Sequence, residues 1–274
     1  MSQTDTPATH YSLQDLLRVM ERLRDPDSGC PWDLKQNFKS IVPSTLEECY
    51  ELADAIERSD LAHIADELGD VLFQVIFYSQ LGAEQGAFDF EGVVDGLVKK
   101  LIRRHPHVFA NGDIEGQVQQ LMSSAEVKAN WEAIKQAERD GKAQAGVLAD
   151  VPVALPALPR AQKLQKRAAN IGFDWVSLEA VVNNLEDELV ELRHALDSGT
   201  PDHIADEFGD VLFSAVNLGR HLELDSEAAL RRANSKFEKR FTHMEMAARK
   251  ADQSLRDLSI DQLESLWKAA KLSE

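Results

Sequence analysis

Leu13, Leu16, Leu17, Met20 and Leu23 recur at helical spacing over 11–24, with Ser12 placed to cap the first turn. A turn signal, Asp25-Pro-Asp-Ser-Gly29, ends that segment, and Cys30-Pro-Trp-Asp33 continues as irregular chain. Ser44 or Thr45 is then expected to cap a second helix, Thr45 having Glu48 three residues on as in a capping box. In this helix Leu46, Cys49, Tyr50, Leu52, Ala53 and Ile56 form an apolar arc, opposite Glu47, Glu48, Glu51 and Asp54. After a break at Ser59-Asp60 the pattern changes. Leu68, Val71, Leu72, Phe73, Val75, Ile76 and Phe77 cover most of the next helix and leave Glu67, Asp70 and Gln74 as a narrow polar stripe, so this helix is expected to be largely buried. A fourth helix over 90–104 carries the basic run that ends at Arg104 and stops before Pro106. A long polar helix over 118–139 sets Trp131 and Lys135 one turn apart. The apolar, proline-punctuated stretch 143–160 then reads as a linker between a domain over 1–142 and a second over 161–274.

Beyond the linker the first pattern returns. Glu48, Glu51, Glu67 and Asp70 match Glu188, Glu191, Glu207 and Asp210, each displaced by 140 positions. Ile64-Ala-Asp-Glu-Leu-Gly-Asp-Val-Leu-Phe73 recurs as Ile204-Ala-Asp-Glu-Phe-Gly-Asp-Val-Leu-Phe213, and the break recurs as Ser198-Gly-Thr-Pro201. Lys100 and Arg104 match Lys236 and Arg240, and Trp131 and Lys135 match Trp267 and Lys271, all displaced by 136. The fold class that follows is all-α, with two tandem helical bundles, each built round an acidic antiparallel helix hairpin.

The acids carry the chemistry. Glu48 and Glu51 lie three residues apart on one face, as do Glu67 and Asp70, and in an antiparallel hairpin both pairs fall roughly 11–12 Å from the turn. Acids on an otherwise apolar helix need a partner, because a partly desolvated group of negative charges is unfavourable without cations or protons. Oxygen-only ligands point to a hard ion, Mg²⁺ or Mn²⁺, one or two per site. Such ions bridge phosphate oxygens and lower the pKa of a bound water. Lys236 and Arg240, one turn apart, are placed to hold other phosphate oxygens, and Trp267 to stack on a base. Lys163, Lys166 and Arg167 form a basic cluster that either supports phosphate or offsets nearby acids. His105-Pro-His107 has no second-half equivalent and reads as a loop feature. A duplicated bundle without chemistry is the plainer alternative, but core packing does not ask a repeat to keep its charges.

Composition narrows the partners. A formal net charge of −17 over 274 residues argues against a broad nucleic-acid-binding surface while leaving free nucleotides open. The longest apolar run, 71–78, is broken by Gln74 and falls short of the ~20 residues needed to span a bilayer. Two cysteines, Cys30 and Cys49, fit a reducing compartment, and with no leader pattern at the start a cytoplasmic location is expected.

Together, Gly29-Cys-Pro-Trp-Asp33, Thr45-Leu-Glu-Glu-Cys-Tyr-Glu51, Glu67-Leu-Gly-Asp70, Arg103-Arg-His-Pro-His-Val-Phe109, Leu155-Pro-Ala-Leu-Pro-Arg-Ala-Gln-Lys163 and Asn170-Ile-Gly-Phe-Asp-Trp175 resemble the MazG-type nucleoside triphosphate pyrophosphohydrolases of the all-α NTP pyrophosphatase superfamily. The family pattern, two adjacent Glu, a third three residues on, then ExxD, is met by Glu47, Glu48, Glu51, Glu67 and Asp70; the second copy has Asp187 at the first position. The resemblance implies Mg²⁺-dependent hydrolysis between the α and β phosphates, giving a nucleoside monophosphate and pyrophosphate with loose base and sugar selectivity. It implies Glu188, Glu191, Glu207 and Asp210 as metal ligands, Lys236 and Arg240 on phosphates, Trp267 and Lys271 near the nucleotide, and a homodimer. The second copy is favoured as the working one because it adds Lys163 and Lys166. A non-catalytic nucleotide- and metal-binding regulatory protein is the alternative.

Overall fold

A computed structural model describes residues 10–116, 122–124, 126–127, 130–131, 133–134, 138 and 146–273. Every regular element among these residues is helical. The chain divides into two compact units, Met1–Glu138 and Arg139–Glu274.

In the first unit, α1 (Leu13–Leu23) begins as expected. Ser12 Oγ accepts from the Asp15 N–H at 3.2 Å, and Asp15 Oδ2 accepts from the Ser12 N–H at 2.8 Å, so the two orphan donors are satisfied reciprocally. Helix α2 (Val42–Glu57) starts ahead of the expected cap, with Ile41 at its N-cap and Pro43 in its first turn, where a missing N–H costs nothing. Thr45 is therefore inside the helix. Its Oγ1 lies 3.0 Å from the Ile41 carbonyl and 3.0 Å from Tyr78 Oη, so it ties α2 to its neighbour in place of forming a capping box.

Ser59, at φ +57°, turns the chain, and Asp60 caps α3 (Leu61–Glu84) by accepting from the His63 N–H at 3.2 Å. Helix α4 (Phe90–Arg104) follows, capped by Asp89. Of the expected helix over 118–139, residues 118–121 lie outside the described residues, Met122 and Ser123 are not helical, and Ser123 Oγ accepts from the Glu126 N–H at 3.3 Å. The described residues of 124–138 are helical, Trp131 among them, and Lys135 lies outside the described residues.

Met20, Ile41, Ile76, Phe77 and Leu81 form the core of this unit, backed by Leu16, Leu17, Phe38, Phe73, Tyr78 and Phe90. The buried apolar residues of α3 thus lie in its C-terminal half, Glu67 being the buried residue nearer its start. Leu68, Leu72 and Val75 are exposed on α3, and Val42, Leu46 and Tyr50 are exposed on α2, a correction to the expectation of a largely buried helix. Periodicity shows which face is apolar but not what covers it.

The second unit repeats the plan with α5 (Ala157–Ala169), α6 (Leu178–Ser198), α7 (Pro201–His221), α8 (Ser226–Lys250) and α9 (Ile260–Leu272). Thr200 caps α7, with Pro201 as its first residue. Exposed apolar positions recur too, since Val182, Val190, Phe208 and Leu212 stand where Val42, Tyr50, Leu68 and Leu72 stand in the first unit. The middle of the proline-punctuated stretch is packed, with Val151 buried and Asp150 Oδ2 2.6 Å from Arg167 Nη2.

Candidate metal and nucleotide site

Each hairpin brings three carboxylates together. Glu48 on α2 meets Glu67 and Asp70 on α3, with one oxygen from each within 4.8 Å of the others, and Glu188 on α6 meets Glu207 and Asp210 on α7 in the same way. Glu51 and Glu191 stand beside these trios, outside the 4.8 Å group. Their charge is still felt. Burial is the largest cause raising the Glu67 carboxyl above its usual range, and Glu51 is the next. Glu48 is raised by burial, then by Asp70, Glu51, Glu67 and Glu47; Glu188 is raised by burial, then by Asp210, Glu191 and Glu207, against a lowering contact from Asn184. Glu47 and Asp187 are exposed.

The donor set fits a hard divalent cation. Glu67 is 5% exposed, and its Oε2, like Glu207 Oε2, is buried without a hydrogen-bond partner, which is costly for a carboxylate unless a cation or proton answers it. Oxygen ligands alone, with no His or Cys in either trio, leave no preference for zinc.

Beside the second trio lies a cavity of about 610 Å³. Its walls include Leu164, Ala168, Phe173, Trp175 and Phe213, with Asn184, Asn217 and Arg220 as polar points and Glu188 also in its lining. Asn184 links wall and acid, because its Nδ2 donates to Glu188 Oε1 at 3.3 Å while its Oδ1 accepts from Ser214 Oγ at 3.1 Å. Asp174 grips the Arg220 guanidinium with both oxygens, Nη1 lying 2.9 Å from Oδ2, and His221 Nε2 adds a contact at 3.0 Å. That clamp holds the Asp174 carboxyl at about 2, Arg220 being the first cause.

The cationic and aromatic residues are distributed unequally. In the second unit the Arg240 guanidinium lies 5.6 Å and Lys271 Nζ 6.0 Å from the centre of the Trp267 ring, which also packs on Phe237 at 5.3 Å. Lys236 is exposed one turn before Arg240. In the first unit Arg104 and Arg103 both converge on Glu138, at 2.5 and 2.7 Å, and Trp131 lies 6.5 Å from His105. Lys100 is half-buried on the same helix. Helix α5 turns Leu164, Gln165 and Ala168 to the cavity; Lys163 and Lys166 are exposed on it, and Arg167 meets Asp150.

Asn184, Ser214, Asn217 and Arg220 were not among the expected site residues. The signal for them is a difference between the copies rather than a match. They replace Ser44, Gln74, Phe77 and Gln80, each 140 positions earlier.

Paired carboxylate-bearing helix hairpins, one of them opening on a nucleoside-sized cavity, define a tandem all-α protein with two metal-capable centres. The model of the MazG nucleotide pyrophosphohydrolase domain matches twice, over 36–109 and 176–245, and both carboxylate trios fall inside the matched residues. The chain belongs to that family. It is 46% identical over 261 residues to the nucleoside triphosphate pyrophosphohydrolase of Escherichia coli strain K12, covering 94% of this chain and 97% of the relative. It is also 43% identical over 258 residues to the nucleoside triphosphate pyrophosphohydrolase/pyrophosphatase MazG of Thermotoga maritima, covering 94% and 95%. A solved mazG-related protein from Thermotoga maritima aligns with 45% of this chain and 99% of its own at 26% identity and a TM-score of 0.38.

Proposed function

We propose that the chain hydrolyses nucleoside triphosphates and deoxynucleoside triphosphates to the monophosphate and pyrophosphate, with Mg²⁺ or Mn²⁺ held by carboxylates, and that the second unit carries the turnover. The observation that carries this reading is the cavity with Glu188 in its lining, which sets a largely apolar, nucleoside-sized space beside three convergent acids.

Glu188, Glu207 and Asp210, with Glu191 beside them, would hold the ion. When bound, it supplies charge neutralisation at phosphate oxygens and a more acidic water. The chain's own residues do the rest. Asn184 fixes the orientation of Glu188. Arg240 and Lys236 offer donors to phosphate oxygens, Arg240 in the bidentate geometry that guanidinium allows. Trp267, with Arg240 and Lys271 over its ring, lies outside the lining of that cavity and is proposed on the family resemblance as a second stacking face for the nucleotide. Lys163, Lys166 and Arg167 add positive potential along α5. Apolar walls with few polar points favour loose selection among bases.

The first unit keeps the acids Glu47, Glu48, Glu51, Glu67 and Asp70, but Gln74 and Phe77, which match the cavity-lining Ser214 and Asn217, are larger and buried. This supports a binding role there. Homodimerisation is part of the proposal. The apolar stripe left on both hairpins, Leu68 and Leu72 in one and Phe208 and Leu212 in the other, supplies a surface for it. A net charge of −17 and two free cysteines accord with free nucleotides rather than nucleic acid as ligands and with a cytoplasmic setting. No helix among the described residues is long and apolar enough to cross a membrane.

The test is release of pyrophosphate across all common NTPs and dNTPs, with and without chelator. Chelator-sensitive pyrophosphate is expected; release of single phosphate, or binding without turnover across the panel, overturns the reading. Glu191→Gln and Glu51→Gln, assayed separately, assign the turnover, and equal loss in both would contradict the preference for the second unit.

A further inference from the structure

We infer that His63 and His203 are positioning residues for the carboxylate trios. Each holds one oxygen of the glutamate one turn ahead, so that the other oxygen stays turned into its acidic group. The inference rests on the proposed metal-binding reading of those trios.

The same arrangement occurs twice. His63 Nε2 lies 3.2 Å from Glu67 Oε1, and His203 Nε2 lies 3.1 Å from Glu207 Oε1. In each pair the remaining oxygen, Oε2, is the buried one without a hydrogen-bond partner. Glu67 and Glu207 are the residues of α3 and α7 that belong to the trios and sit deepest, whereas Asp70 and Asp210 are exposed. Helical spacing explains the reach, since residues four apart are neighbours on one face.

What anchors the histidines also recurs, although the residues that do it differ. The His63 N–H is donated to the cap Asp60 Oδ1 at 3.2 Å, and the His203 N–H to the cap Thr200 Oγ1 at 3.3 Å. In the second unit Gly199 leaves room for the ring, because a Cβ there would lie 2.9 Å from His203 Nδ1. The cap thus fixes the histidine and the histidine fixes the acid. A glutamate's terminal torsion is broad and roughly two-fold, so without a donor on one oxygen the carboxylate has little to select the ligating orientation. Nε2 donates to the carboxylate in the imidazolium and in the Nε2–H tautomer of the neutral ring.

Hydrogen-bond partners of metal ligands typically contribute 10–100-fold to metal affinity. Both rings are partly exposed, with side chains 40% and 55% accessible, which puts the expected effect near tenfold. The test uses the full chain and Mn²⁺ alone, titrated at fixed pH with free ion read by electron paramagnetic resonance. Wild type is expected to bind at two sites. His203→Ala should weaken one of them about tenfold and His63→Ala the other. His203→Gln, which restores a donor at similar reach, should recover most of the loss. In turnover, His203→Ala should raise the Mg²⁺ concentration needed for half-activity more than it lowers the rate at saturating Mg²⁺. Unchanged Mn²⁺ affinity in both alanine variants, or a glutamine variant as weak as alanine, overturns the inference while leaving the metal reading intact. A wild-type chain that binds no Mn²⁺ overturns the metal reading itself.

Discussion

Asn217 stands in the second unit where Phe77 stands in the first, and the same helical position is a cavity wall in one and a plug in the other. Phe77 is fully buried against Met20, Ile76 and Leu81; Asn217 lines the space beside Glu188 and accepts from Arg220 at 3.0 Å. Refilling the space should therefore separate nucleotide binding from metal binding. Asn217→Phe is expected to raise KM for every nucleotide at least tenfold while Mn²⁺ binding stays intact. The reverse change, Phe77→Ala, is expected to cost about 3–5 kcal/mol of stability, the range for a large buried side chain, and to confer no new turnover. Steady-state kinetics and denaturant unfolding check the two arms.

The raised carboxyls of Glu48, Glu67 and Glu188 predict an unusual response to acid. A carboxyl whose folded pKa lies above its unfolded value binds protons more readily when folded, so stability falls as pH rises through that range. Metal-free protein is therefore expected to melt higher at pH 5 than at pH 7. Mg²⁺ should reverse the order, stabilising more at neutral pH than at pH 5, where protons compete for the same oxygens. Glu188→Gln should raise the metal-free melting temperature and reduce the gain from Mg²⁺. Thermal melts with and without chelator at both pH values test this, and a Mg²⁺ gain independent of pH would contradict it.

These acids were legible in the sequence, and the reason is local. Helix periodicity and capping act over three or four residues, so the Ser12 cap, the hairpins and the repeated ExxD faces can be read directly. The start of α2 was misjudged because Pro43 suits a first turn better than Thr45 suits a cap, two local signals that the sequence does not rank. The exposed apolar positions of α3 were missed because an apolar stripe looks the same whether its own chain or another surface covers it. The cavity left no periodic trace at all. It arises from the volumes of Ser214 and Asn217 set against Leu164 and Trp175, residues far apart in the chain.

Trp267 carries the next expectation. Its ring is half-buried against Phe237 with Arg240 and Lys271 over it. Stacking on an aromatic side chain is worth about 1–3 kcal/mol per base, so Trp267→Ala should raise KM roughly 5–150-fold with a smaller effect on kcat, and Trp267→Phe should keep part of the affinity. The loss should be similar for purines and pyrimidines, because every base has a π-face. A loss confined to one base would instead assign Trp267 to edge recognition.

Asp174 and Arg220 set the acid limit of the second unit. Their clamp holds Asp174 at about 2, against 3.8 for a free aspartate, so the ionised pair contributes stability above pH ~4 that is lost as pH falls towards 2. At ~1.4 kcal/mol per unit, and with side chains 28% and 16% exposed, the contribution is about 1–2 kcal/mol. Asp174→Asn is expected to cost that much at pH 7 and to flatten the stability profile between pH 4 and 2. In the first unit Arg24 grips Glu84 at 2.6 and 2.7 Å and lowers its carboxyl in the same sense, so acid should loosen both units. Only the Asp174 clamp borders the cavity. Asp174→Asn should thus weaken nucleotide binding as well as stability, because Arg220 and the Phe173 and Trp175 wall lose their anchor together, whereas Glu84→Gln should affect stability alone.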